Sequence, residues 1–107
     1  MRTQDLERLE RFYVAVLGFG VVRRDSSRGS VWLDAGGAVL MLERAEEGEP
    51  AVDPTSKELV AFAIDTKFAW QARLATAGVP IEGETAYTLY FRDPDGRRIG
   101  VSAYRLP

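Results

Sequence analysis

The chain has 107 residues, of which 46% are hydrophobic and 28% are charged, and these values are typical of one compact globular protein. It contains no cysteine and no histidine, which excludes disulfides, thiolate chemistry and the commonest ligand of transition metals. The formal net charge is -2 and the arginines are scattered along the chain, so nucleic acid is not an expected partner.

No apolar segment has the length that a signal peptide or a membrane-spanning helix needs. The longest uninterrupted apolar run, from Ala38 to Leu42, is too short to cross a bilayer. We therefore predict a cytoplasmic protein that has no membrane partner.

The first part of the chain predicts one helix followed by three strands. Asp5 is a suitable N-cap, and the apolar residues after it recur at three- and four-residue steps until Gly18 ends the pattern. Three short apolar segments follow, at residues 19–22, 30–33 and 38–42, and turn-forming residues separate them. The stretch from Arg44 to Lys57 contains Gly48, Pro50 and Pro54 and few apolar residues, which is typical of a linker.

The second part repeats this order of elements. Residues 59–64 predict a strand, in which Val60, Phe62 and Ile64 are expected to pack beneath a helix. Asp65 is the expected N-cap of that helix, whose apolar positions include Phe68, Ala72, Leu74 and Ala75. Three further strands are predicted from Ile81, from Thr88 and from Ile99. We assign the carboxylates of Asp93-Pro-Asp-Gly to a turn before the last strand rather than to catalysis.

Three landmarks of the two parts share one spacing, which indicates an internal duplication. A predicted helix cap, a helix stop and a turn glycine are each repeated 60 positions later: Asp5 and Asp65, Gly18 and Gly78, Gly36 and Gly96. Two βαβββ modules of an α+β fold explain this spacing. The same spacing places the first strand of the first module at the start of the chain, so this strand is expected to be short or truncated.

Two sequence motifs connect this pattern to a known superfamily. The segment from Thr3 to Leu6, followed by Phe12-Tyr13 and Leu17-Gly-Phe19, resembles the opening of glyoxalase and bleomycin-resistance proteins, and residues 90–96, Tyr-Phe-Arg-Asp-Pro-Asp-Gly, resemble their closing hairpin. On these motifs the chain is identified as a member of the vicinal oxygen chelate superfamily. The resemblance implies curled mixed sheets that form a cleft, with module 1 at about 1–44, a linker at about 45–57 and module 2 at about 58–107.

The resemblance also implies where metal ligands would lie, namely in the first and the last strand of each module. These positions fall at the start of the chain, where Met1, Arg2 and Thr3 stand, and on Met41, Leu59 and Gly100. None of these side chains suits a metal ion, so we predict no metal and no cofactor. A site built from Glu43 and Glu58 stays open for magnesium or manganese, although their places at strand ends favour solvated surface.

Counting strand alternation from those implied positions predicts which side chains face the cleft. The predicted ligand-binding residues are Trp32, Met41, Leu59, Tyr90, Arg98, Gly100 and Ser102. The predicted surface is apolar and aromatic with few polar groups, so it suits a flat organic compound that is oriented by Arg98, Ser102 or a tyrosine hydroxyl. No catalytic residue is predicted.

The leading hypothesis is a metal-independent protein of the bleomycin-resistance type that sequesters a flat apolar or aromatic compound in the cleft. The alternative is a lyase, isomerase or dioxygenase-like enzyme that uses an atypical or metal-free site, and a third possibility is an interaction domain with a vestigial cleft. A homodimer is expected, because a truncated first strand leaves a sheet edge and apolar surface that a symmetric partner would cover.

Overall fold

The computed structural model describes residues 1–105. The chain divides into two compact units, Met1–Val52 and a second unit that begins at Asp53. Each unit contains one helical region and a four-stranded mixed sheet, in the order strand, helix and three strands. The α+β class and the duplicated βαβββ module are therefore confirmed.

The first unit contains a sheet in the order β1-β4-β3-β2, in which β1 is parallel to β4 and the other neighbours are antiparallel. Its elements are β1 (Arg2–Thr3), α1 (Leu6–Arg11), a π-helical turn (Phe12–Val16), β2 (Gly20–Asp25), β3 (Ser30–Asp34) and β4 (Val39–Arg44). As the duplication predicts, β1 is short.

Helix α1 begins where the sequence predicts. The Asp5 side chain accepts a hydrogen bond of 3.1 Å from the backbone N–H of Arg8, which satisfies one of the free donors of the first turn. After the π-helical turn, Gly18 takes a φ of 79° and ends the helical region. The core of this unit lies between α1 and one face of the sheet, and its fully buried members include Leu9, Tyr13, Val31, Leu33 and Leu42.

The second unit repeats the sheet in the order β5-β8-β7-β6, with β5 parallel to β8. Its elements are β5 (Leu59–Ala63), α2 (Lys67–Thr76), β6 (Gly83–Glu84), β7 (Thr88–Arg92) and β8 (Arg98–Ser102). Alternate residues of β7 and β8 are fully buried together with one leucine of α2: Leu74, Leu89, Phe91, Ile99 and Val101. Gly78 and Gly96 take φ values of 71° and 89°, so both glycine pairs of the duplication play the same backbone roles in the two units.

The predicted cap of α2 is wrong, and its predicted apolar face is wrong except at Leu74. Thr66, not Asp65, is the N-cap, and its hydroxyl accepts a hydrogen bond of 3.3 Å from the backbone N–H of Ala69. Leu74 is buried, whereas Phe68 is 82% exposed and Ala72 and Ala75 are exposed as well. The half-buried Trp70 lies four residues before Leu74, on the face that packs on the sheet.

The expected packing of β5 beneath the helix is also wrong in part. Val60 is exposed, and Phe62 and Ile64 are only half-buried. The reason lies in the sheet order: β5 is an edge strand, and α2 packs on β7 and β8. Neither helix in the described part of the chain has the length and apolar character that spanning a membrane requires. The homodimer and the cytoplasmic location stay predictions.

Candidate functional site

The face of the first sheet that lies opposite α1 carries two rows of side chains, and we call it the first open face. Strand pairing aligns Arg23 of β2, Trp32 of β3 and Met41 of β4 in one row. The adjacent row contains Asp25, Ser30 and Glu43 in the same strand order. Trp32 is 37% exposed, so part of its ring is accessible to a ligand.

A cavity of about 470 Å³ opens on this face, within the size range of small-molecule sites. Its lining residues are Arg23, Asp25, Arg28, Ser30, Trp32, Met41 and Glu43. The two residues that the sequence predicts for this sheet, Trp32 and Met41, therefore lie together. The prediction of a surface with few polar groups is wrong here, because four of the seven lining side chains are ionisable.

A β-bulge explains why the sequence pattern did not predict Arg23 as a residue of this face. The pairing of β2 with β3 shifts between Val21 and Arg23, so Val21 lies opposite Leu33 while Arg23 lies opposite Trp32. One extra residue, Val22, is accommodated without a partner, and it is 62% exposed. Regular alternation would have placed Val22 opposite Trp32, and no local signal in the sequence distinguishes the two registers.

The acidic side chains of the first open face have partners within their own unit. The hydroxyl of Ser27 donates to Asp25 Oδ1 at 2.8 Å, and together with the backbone N–H of Arg28 this bond holds the pKa of Asp25 below its usual value. Glu43 Oε1 lies 3.7 Å from Arg2 Nη1 across the pairing of β1 with β4.

The corresponding face of the second sheet, the second open face, carries the other five predicted residues. Leu59 pairs with Arg98, and Tyr90 pairs with Gly100, which in turn lies beside Ala61. Ser102 completes this face opposite Thr88, whose hydroxyl donates to Ser102 Oγ at 2.8 Å. Strand pairing thus brings Leu59, Tyr90, Arg98, Gly100 and Ser102 to one surface.

Arg98 and Tyr90 form the polar and aromatic part of the second open face. The Arg98 guanidinium carbon lies 4.4 Å from the centroid of the Tyr90 ring, a cation–π contact. Arg98 Nε is 3.6 Å from Glu82 Oε1, beyond hydrogen-bond distance, and this buried nitrogen has no hydrogen-bond partner among the described residues. Because Nε is buried beside Glu82, the guanidinium donors left for a ligand are those of the terminal nitrogens Nη1 and Nη2.

Glu82 anchors two arginines at the edge of this face. Arg92 Nε and Nη2 donate hydrogen bonds of 2.5 and 3.0 Å to its carboxylate, which makes a bidentate pair. Arg98 Nε lies 3.6 Å from the same carboxylate, at ion-pair distance. These contacts, the Arg92 hydrogen bond first, hold the pKa of Glu82 below its ordinary value.

A pH experiment tests that anchor. Because the pKa of Glu82 is lowered from 4.5, its ionised form stabilises the fold above that value, and the stabilisation is lost as the pH falls through the lower folded pKa. We expect the melting temperature to fall less in Glu82→Gln than in the parent between about pH 5 and about pH 3. The control is Glu47→Gln, because Glu47 is exposed and makes no hydrogen bond or ion pair within residues 1–105. Parallel pH profiles of the parent and Glu82→Gln would contradict the assignment.

The positions that the resemblance implies for metal ligands do not fit a metal ion. Met41, Leu59 and Gly100 offer no oxygen or nitrogen from a side chain. A Cβ atom added at Gly100 would lie 3.3 Å from Leu59 Cδ1, so the space beside it is already occupied by a leucine. Within the described chain no three Asp, Glu, His or Cys side chains are grouped to hold an ion, and Glu43 pairs with Arg2 instead.

Two βαβββ units, each with a helix on one face of its sheet and an open opposite face, define the architectural class of the protein. Residues 1–101 match the Glyoxalase/Bleomycin resistance protein/Dioxygenase superfamily, and the chain belongs to this superfamily. The resemblance read from the two sequence motifs is confirmed. No curated protein matches the chain in sequence.

Solved structures show the same fold at low sequence identity. An integron cassette protein from the mobile metagenome of the Halifax Harbour sewage outfall has a TM-score of 0.80 and 23% identity, over 97% of this chain and 93% of its own. Lactoylglutathione lyase from Agrobacterium tumefaciens has a TM-score of 0.74 and 23% identity, over 95% of this chain and 87% of its own. The fosfomycin resistance protein FosX from Mesorhizobium loti has a TM-score of 0.75 and 18% identity, over 99% of this chain and 88% of its own.

Proposed function

We propose that the protein is a metal-independent small-molecule binding protein that sequesters a flat apolar or aromatic compound on the open faces of its sheets. One observation carries the proposal. In each unit an aromatic residue of the third strand lies directly opposite the fourth-strand residue at an implied ligand position: Trp32 opposite Met41, and Tyr90 opposite Gly100. Each unit thus presents a ring on the strand next to the position where its metal-dependent relatives would present a metal ligand.

The chemistry of both faces suits stacking and burial. A stacked or edge-on aromatic contact contributes about 1 kcal/mol beyond the burial of apolar area. Leu59 on the second open face and Met41 on the first add apolar surface beside the rings. Arg98 and Ser102 supply polar groups that orient a ligand, since Ser102 Oγ accepts bonds from Thr88 and from the Tyr104 backbone N–H and keeps its own proton to donate. Micromolar affinity corresponds to about 8 kcal/mol of binding free energy, so it requires several such contacts together with the burial of apolar area.

The two tryptophans, Trp32 and Trp70, allow a direct test. Planar compounds that raise the melting temperature of the parent protein are titrated into Trp70→Phe, which retains only Trp32, and into Trp32→Phe, which retains only Trp70 on α2. We expect a compound on the first open face to change the fluorescence of Trp70→Phe alone. A compound on the second open face is expected to bind Tyr90→Ala about tenfold more weakly than the parent.

Two controls separate the proposal from its alternatives. Phe68→Ala, on the exposed side of α2, is expected to bind like the parent. Treatment with a chelator is expected to leave binding unchanged, because the proposed contacts use no metal. The binding surfaces are wrongly assigned if every compound found stabilises the parent, Trp32→Ala and Tyr90→Ala equally. Metal-dependent turnover of a keto or catechol substrate would replace the proposal by the enzyme hypothesis.

A further inference from the structure

Arg23 is the cation of the first open face that lacks a partner. Within residues 1–105 it makes no salt bridge, although at longer range it contributes to lowering the pKa of Asp25. Its neighbour Arg24 has the opposite environment, since it points to the helix side of the sheet and pairs with Glu10 of α1. The bulge in β2 therefore separates two consecutive arginines into one that serves the fold and one that faces the cavity beside Trp32.

The nearby carboxylates do not neutralise Arg23 directly. Asp25 accepts hydrogen bonds from Ser27 and from the backbone N–H of Arg28, and its Oδ2 lies 4.0 Å from Arg28 Nε. Glu43 lies on Arg2. Both acids are therefore occupied by groups of their own turn or of a neighbouring strand, and the guanidinium of Arg23 keeps its donors for another anion.

Ser30 is a second polar residue of this site. Ser30 is only 7% exposed, and its hydroxyl makes no hydrogen bond in the part of the chain that the structure describes. It lines the same cavity, and strand alternation places it on the face that carries Trp32. Its Oγ is not among the fully buried side-chain atoms that lack a hydrogen-bond partner, so the hydroxyl is accessible from the cavity and can donate to a ligand. The cavity thus offers a hydroxyl donor in addition to the guanidinium of Arg23.

We propose that the compound bound on the first open face is an aromatic carboxylate, with its ring on Trp32 and its carboxylate on Arg23. This inference rests on the proposed function and gives the chemical class of the ligand. The row Arg23, Trp32, Met41 matches that class: a planar cation with paired donors stands at one end, an aromatic face in the middle and an apolar side chain at the other end. A guanidinium binds a carboxylate through two parallel hydrogen bonds, which a neutral amide cannot reproduce.

The test compares two probes with the same ring, 2-naphthoate and 2-naphthamide, by titration calorimetry and by tryptophan fluorescence. We expect the parent protein to bind the carboxylate about tenfold more tightly than the amide. In Arg23→Gln the two affinities are expected to become equal, because the charged partner is lost while Trp32 stays. The matched control is Arg24→Gln, which makes the same change in charge at the next residue and is expected to keep the preference.

Each outcome bears on one of the two proposals. Equal affinity of the parent for the two probes, or a preference that persists in Arg23→Gln, would overturn the carboxylate assignment and leave the binding function standing. Binding of other planar compounds but of neither naphthalene probe would also overturn the assignment. If no planar compound binds at all, the proposed function fails and this inference fails with it. The comparison of the two probes on the parent protein needs no variant, so a folding defect cannot obscure it.

Discussion

Replacing Asp93 by alanine is expected to lower the free energy of unfolding by about 3 kcal/mol, the scale for removing one partner of a buried ion pair. The Asp93 side chain is completely buried, and its Oδ2 accepts a hydrogen bond of 2.6 Å from Arg97 Nη1. Its Oδ1 accepts two more, from the backbone N–H groups of Asp95 and Arg97 at 3.0 Å each. The substitution leaves a mostly buried guanidinium and two turn donors without this partner.

The matched control for this experiment lies two residues away. Asp95 has a buried Oδ2 atom that makes no hydrogen bond among the described residues, and this atom is 3.7 Å from Arg97 Nη1. Asp95→Ala is therefore expected to cost less than about 1 kcal/mol, since it removes a carboxylate that is poorly compensated. Urea unfolding of both variants measures the difference. Equal losses would show that the net charge of the turn matters and the specific hydrogen bonds of Asp93 do not.

Replacing Phe91 by alanine is expected to cost about 4 kcal/mol, the largest effect of a single substitution that we predict. Phe91 is fully buried on β7 and pairs with Ile99 of β8 in the core of the second unit. Removing its ring loses the burial of an aromatic side chain and leaves a cavity in a packed region.

Phe68→Ala makes the identical chemical change at an exposed position and is expected to cost less than about 0.5 kcal/mol. The comparison tests directly which face of α2 packs on the sheet, because the sequence pattern assigns Phe68 to the apolar face. Thermal or urea unfolding of the two variants under the same conditions decides it. A loss in Phe68→Ala that approaches the loss in Phe91→Ala would show that this ring is buried.

The sequence was sufficient for the elements that depend on local backbone chemistry. Asp5 caps α1, Gly18 and Gly78 adopt positive φ after their helices, and the spacing of 60 positions identifies the duplicated module. These features depend on one backbone donor or one dihedral angle, so they are visible within a few residues of sequence. Strand alternation likewise placed Trp32 with Met41, and Tyr90 with Gly100, on shared faces.

Only the tertiary structure decided the orientation of α2 and the charge of the first open face. The face of α2 that carries Trp70 and Leu74 packs on β7 and β8, and this docking depends on the sheet and not on the residue that caps the helix. The bulge at Val22 depends on how β2 pairs with β3, and it determines that Arg23 reaches the cavity while Arg24 pairs with Glu10. Register and pairing are set by the neighbouring strands and helix, which no segment of sequence contains by itself.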